Sequence, residues 1–166
     1  MGWKDVVKKV VAGSASAWEP WATEHGWQYQ AEEPGLAGRY FDLPPDPKRT
    51  GERYFDVVRG EWEGRPFLTF RRQMAGRPKG GTHTNYENVA AVAIQLPGRP
   101  RADLAAQDAR VAFRSFCDVP GWCNWAWVAP DWLLATRHVM KPDQAEQVLQ
   151  HVAFALTKAP DGAFMS

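Results

Sequence analysis

Three features of the sequence predict an α+β fold in which an antiparallel sheet of five to seven strands is packed by N-terminal helices and one C-terminal amphipathic helix. Apolar residues at helical spacing are confined to the two ends of the chain, and from Arg53 onward the period changes to two. No strand–helix–strand alternation runs through the middle, which argues against a doubly wound sheet or a TIM barrel.

Trp3, Val6, Val7, Val10 and Val11 fall on one face of an expected first helix. A second is expected from Ala17 to His25, with Pro20 near its first turn and Gly26 just past its end. Trp27 and Tyr29 alternate with polar neighbours as in a short strand. Glu32 to Gly51 carries four prolines and reads as a loop with one helical turn around Leu36–Tyr40. Tyr54–Arg59 and Pro66–Gln73 are strand-like, with Gly60–Gly64 as the hairpin loop between them.

Beyond the glycine-rich loop Gly76–Thr82, a long strand places Tyr86, Asn88, Ala90, Val92, Ile94 and Leu96 on one face and stops at Pro97-Gly98. Residues 102–117 suit either helix or strand. Trp125 and Trp127 share a face and form a hairpin with Trp132–His138. The closing helix begins at Pro142, buries Ala145, Val148, Leu149, Val152 and Leu156, and stops at Pro160-Asp161-Gly162, leaving a frayed tail. The simplest packing lays the helices on one face of an antiparallel meander.

The chain has 166 residues, 45% of them hydrophobic, and a net charge of +1. That length suits one domain, residues 1–166, with its own core and no need of disulfide or metal staples. No apolar run reaches the roughly 18 residues of a membrane span. Lys8 and Lys9 interrupt the only segment resembling a secretory leader, and Val6 stands where a myristoylation motif has Ser or Thr. A cytoplasmic protein with Cys117 and Cys123 as free thiols is expected.

Nothing in the chain spells a known catalytic motif. The C-x₅-C pair lacks a second ligand pair, so no metal is expected, and none of the four histidines lies in a zinc or nucleophile pattern. Gly76–Thr82 differs from a phosphate loop because its lysine precedes the glycine pair. No cofactor is implied. Trp122, Trp125, Trp127 and Trp132 crowd into eleven positions, a density that suits a sheet core with one ring left for an interface, here Trp122. Residues 48–114 hold thirteen basic against seven acidic residues, with Arg71, Arg72, Arg77 and Lys79 expected at one hairpin end and Arg99 and Arg101 at another loop.

The segments Trp21–Tyr29, Gly64–Phe67 and Asp131–Leu134, followed by a Pro-Asp-initiated last helix, together resemble a loose family of small actinobacterial or actinophage α+β proteins of unknown function. In these a helix ending in His-Gly-Trp leads into an antiparallel sheet and a closing helix. A chain rich in Ala, Arg, Gly and Pro with Ile94 as its one isoleucine fits a GC-rich genome of that kind. The resemblance implies architecture and supplies no site.

The expected function is a non-catalytic protein-binding or regulatory module that presents Arg71, Arg72, Arg77, Lys79, Arg99, Arg101 and Trp122 to another protein or to a second copy of itself. The alternative is a small apolar-ligand pocket between the sheet and the C-terminal helix. Single-stranded nucleic-acid binding by the basic rim, and a thiol enzyme using Cys123 or Cys117, are further readings. A membrane partner is not expected.

Overall fold

Period-two alternation after Arg53 becomes three long strands and two flanking ones in the computed structural model, which describes residues 17–36, 52–75, 86–128 and 130–166. The expected helix over Trp3–Val11, most of the proline-rich stretch, and the loop bearing Arg77 and Lys79 lie outside those residues. The fold is α+β. A six-stranded antiparallel sheet comprises β1 (Gln28–Glu32), β2 (Arg53–Trp62), β3 (Arg65–Ala75), β4 (Tyr86–Gln95), β6 (Asn124–Val128) and β7 (Trp132–Arg137). A separate two-stranded ribbon pairs β5 (Arg99–Pro100) with β8 (Phe164–Met165). The helices are α1 (17–24), α2 (Ala102–Ala105), α3 (Ala109–Arg114) and α4 (Pro142–Lys158).

The β2–β3 connection is tighter than the five-residue loop expected. Pairing continues to Trp62↔Arg65, and Glu63 and Gly64 both have positive φ, the two-residue turn whose twist matches that of the flanking strands. Gly60 therefore belongs to β2. It is glycine because the Trp27 ring lies across the strand there, and a Cβ would sit 2.2 Å from Trp27 Cδ1.

The sheet is not a plain meander. Its order is β1-β2-β3-β4-β7-β6, so β4 pairs with β7 and β6 takes the outer edge. The segment between β4 and β6 carries β5, α2 and α3, long enough to pass beyond β7's place before the last hairpin returns.

Residues 102–117, ambiguous in sequence, are helical where they are regular. Asp108 Oδ1 accepts hydrogen bonds from the backbone N–H of Arg110 at 3.0 Å and of Val111 at 3.3 Å, capping α3. Ala109, Ala112 and Phe113 then face inward at helical spacing while Val111 is exposed. The tail does not fray after α4. Ala163 is buried, its carbonyl accepts the Arg101 N–H at 2.9 Å, and Phe164–Met165 pair with β5.

Both faces of the sheet are buried, another departure from the one-faced packing expected. Val58, Phe67, Val92, Ile94, Leu133 and Ala135 face α1, α3 and α4. Tyr54, Val57, Leu68, Phe70, Ala91 and Ala93 form a second cluster with Leu36 and Val128 on the opposite face. Val89–Ile94 is accordingly an unbroken apolar run, as in a strand buried on both sides. The α4 stripe is as expected: Ala145, Val148, Leu149 and Val152 are each at most 1% exposed. Most of the tryptophans serve the core, with Trp18, Trp21 and Trp125 buried and Trp27, Trp62, Trp122 and Trp127 packed partly against them.

Candidate functional site

Where α1 and α4 approach the helix-covered face near the start of β4, small side chains leave space. Ala90 of β4 and Ala17 of α1 add almost no bulk, and a cavity of about 710 Å³ opens between the two helices and the sheet. Trp18 and Trp21, three apart on α1, turn inward with rings 5.5 Å apart and nearly perpendicular, the preferred edge-to-face contact. Met140, buried just before α4, completes the apolar wall.

The mouth is polar. His138, Lys141, Asp143 and Glu146 line it from the approach to α4 and its first turns, with Asn88 on the sheet side. Pro142 starts the helix, and the Lys141 N–H donates to Gln144 Oε1 at 3.0 Å, fixing the entry of the chain. Glu146 Oε2 accepts the Trp21 indole N–H at 3.3 Å and so ties α4 to α1 across the cleft.

Arg71 enters the cavity from its floor. On β3 it pairs with Ala90 of β4 and Phe55 of β2 on the helix-covered face. Its Nε donates to Asp56 Oδ2 at 2.6 Å, while Asp56 Oδ1 accepts the Tyr29 hydroxyl at 2.9 Å. Asp56 is 2% exposed and lies in the register shift between Phe55 and Val58 with φ +49, a left-handed conformation uncommon outside glycine. The irregularity brings the carboxylate between Arg71 and Tyr29. Burial, then the hydrogen bond to Asp56, pushes the Tyr29 phenol well above its ordinary value.

A second, shallower depression of about 620 Å³ is lined by Trp27, Gly60, Phe67 and Trp132. It draws on residues of both sheet faces, and its arginine, Arg59, is paired with buried Glu33.

The residues singled out from sequence do not form one surface. Arg71 and Arg72, being consecutive on β3, point to opposite faces, and Arg72 stands opposite Tyr54 on the second. Arg99 and Arg101 follow the far end of β4. The five residue steps from Ala90 to Gln95 alone separate them from Arg71 by ~17 Å at about 3.4 Å per step. Arg101 is exposed and bonded to Asp103, whose carboxyl it holds down to about 2. Trp122 is half-buried beneath Arg137, with the guanidinium carbon 5.2 Å from the ring centre. Arg77 and Lys79 lie outside the described residues. Asp56, Tyr29, Trp18 and Trp21 had no assigned site role in the sequence.

Neither thiol is arranged as a nucleophile. Both donate to backbone carbonyls, Cys117 to Asp118 and Cys123 to Pro120. Burial pushes the Cys123 thiol up to about 11 and also raises Cys117, so both are protonated near neutrality. Among the described residues no three histidine, cysteine or carboxylate side chains gather as a metal site. No described helix is long and apolar enough to cross a membrane.

The raised phenols give an alkaline limit to stability. Burial and the hydrogen bond to Glu52 push Tyr54 up to about 12, against about 10 for a free phenol. Above pH 10 the unfolded chain releases these protons and the folded chain keeps them, so stability present below pH 10 falls as pH rises toward 12. Urea midpoints should decline over that window. Tyr54→Phe should flatten the decline, and an unchanged slope would show that the phenol is not perturbed.

No family model and no curated protein matches the chain. Among solved structures, the crystal structure of the mycobacterial trehalose monomycolate transport factor A, TtfA, is similar with a TM-score of 0.49 and 17% sequence identity, over 90% of this chain and 99% of that one. A likeness of that depth assigns neither a family nor a function.

Proposed function

We propose that the chain is a non-catalytic binding protein that holds a small, largely apolar molecule in the cleft between the sheet, α1 and α4. The observation that carries this is the cavity itself. Its volume of about 710 Å³ is within the range of ligand pockets, roughly 300–1,000 Å³, and Trp18, Trp21, Ala90 and Met140 wall it while polar groups gather at the mouth. The ligand reading is favoured over a protein-binding sheet surface because, of the described arginines that would form that surface, Arg71 and Arg72 point to opposite faces of the sheet and Arg99 and Arg101 lie beyond the far end of β4.

Decanol tests the cleft without regard to charge. Isothermal titration should give saturable binding at one site. Asn88→Trp, which places a large ring at an exposed position on the cleft wall, should weaken it by about tenfold or more with little change in melting temperature. Indifference to the plug, or absence of saturable binding by decanol and by its ionic-headed analogues alike, would refute the proposal.

A further inference from the structure

We infer that the molecule held in this cleft carries an anionic oxygen head, a carboxylate or phosphate ester, and that Arg71 is the residue that binds it. The inference rests on the cleft being a binding site and adds the chemical class of its occupant.

A guanidinium presents five N–H donors in a rigid plane. In Arg71 only the Nε–H is used, by Asp56 Oδ2 at 2.6 Å, and neither terminal nitrogen has a hydrogen-bond or ion-pair partner among the described residues. The side chain is 32% exposed and contributes to the cavity lining, with its guanidinium carbon 5.8 Å from the Phe55 ring centre. Asp56 is itself held through its other oxygen by Tyr29, so the guanidinium is oriented from behind by a buried carboxylate. The free terminal nitrogens match the two oxygens of a carboxylate or phosphate in a paired geometry.

The other titratable groups of the lining, His138, Lys141, Asp143 and Glu146, are of mixed sign and sit on the approach to α4 and its first turns, not on the sheet with Arg71. Lys141 and Asp143 are exposed and opposite in sign, and Glu146 accepts the Trp21 indole N–H. An anionic head satisfies Arg71 and leaves the apolar remainder of the molecule against Trp18, Trp21 and Met140, whereas a cationic head at the mouth carboxylates Asp143 and Glu146 would leave the terminal N–H groups of Arg71 unmet. A neutral occupant would leave the terminal nitrogens partly desolvated without a partner of matching charge.

Four ligands with the same chain and different heads test this on the intact protein: decanoate, decyl phosphate, decanol and decyltrimethylammonium. At least one of the two anions is expected to bind about tenfold or more tightly than decanol, and whichever does so identifies the head chemistry. In the double variant Arg71→Gln/Asp56→Asn, which leaves neither charge buried alone, the ratio of anion to decanol affinity should fall toward one. Anions binding no more tightly than decanol, a preference for the cation, or an anion preference that survives the double variant would each overturn the inference while leaving the cleft as a binding site. If none of the four binds, both the inference and the cleft fail.

Discussion

Leu149→Asp is expected to abolish the folded state. Leu149 is fully buried in the middle of α4, packed with Val148, Val152 and the sheet residues of the helix-covered core. An aspartate there loses the apolar contact and places a charge among buried apolar side chains of the helix–sheet core. Leu→Ala at such a site costs about 2–5 kcal/mol, and an unpartnered buried charge adds several more. A protein of this size has ~5–15 kcal/mol in all. Leu149→Asp should therefore give no cooperative urea transition by tryptophan fluorescence or far-ultraviolet circular dichroism. Leu149→Ala should remain folded with a lowered midpoint. A near-normal transition in the aspartate variant would mean that α4 packs by another face.

The second large effect lies under the cleft. Asp56→Ala removes the acceptor of both Arg71 Nε–H and the Tyr29 hydroxyl. Breaking a buried pair costs about 3–5 kcal/mol, but Arg71 reaches solvent, so a loss of about 2–3 kcal/mol is expected. Because Asp56 also has φ +49, hydrogen bonding and backbone strain separate across a series. Asn keeps one acceptor and tolerates that conformation, and should be the least harmful. Gly loses both bonds and relaxes the backbone, and should exceed Ala by ~1 kcal/mol. Urea midpoints in the order Asn, Gly, Ala fit this account. Ala equal to the parent protein would remove the buried ion pair from it.

Much of the fold is readable in the residues because the local patterns are strong. The α4 stripe, the alternation along β2 and β3 and the shared face of Trp125 and Trp127 each follow from a period that only one element satisfies. The exchange of β6 and β7 is not readable, since strand order depends on where a long crossover delivers the chain and not on the strand's own residues. For α3 the signal was present in Asp108, a capping residue that precedes Ala109, Ala112 and Phe113. The alternation of Val111, Phe113 and Cys117 masked it.

The cleft was legible only as an alternative location between the sheet and the last helix. Its lining comes from α1, β3, β4 and the entry to α4, and a local pattern cannot announce such a convergence. Arg71 stands out in sequence beside Arg72 as part of a basic cluster, yet pleating sends the two to opposite faces. Asp56, an acid inside the apolar run Tyr54–Val58, was the one residue whose position broke its surroundings. Buried carboxylates at irregular backbone often mark a site, a weak signal without the neighbours that give it meaning.

The cleft is tested most directly by a proton–nitrogen correlation spectrum of the nine tryptophan indoles during titration with decanol. Trp18 and Trp21 line the cavity, so their resonances, assigned by single Trp→Phe variants, should move saturably while those of Trp125 and Trp127 stay in place. Shifts spread over all the indoles, or confined to those outside the cleft, would contradict the account.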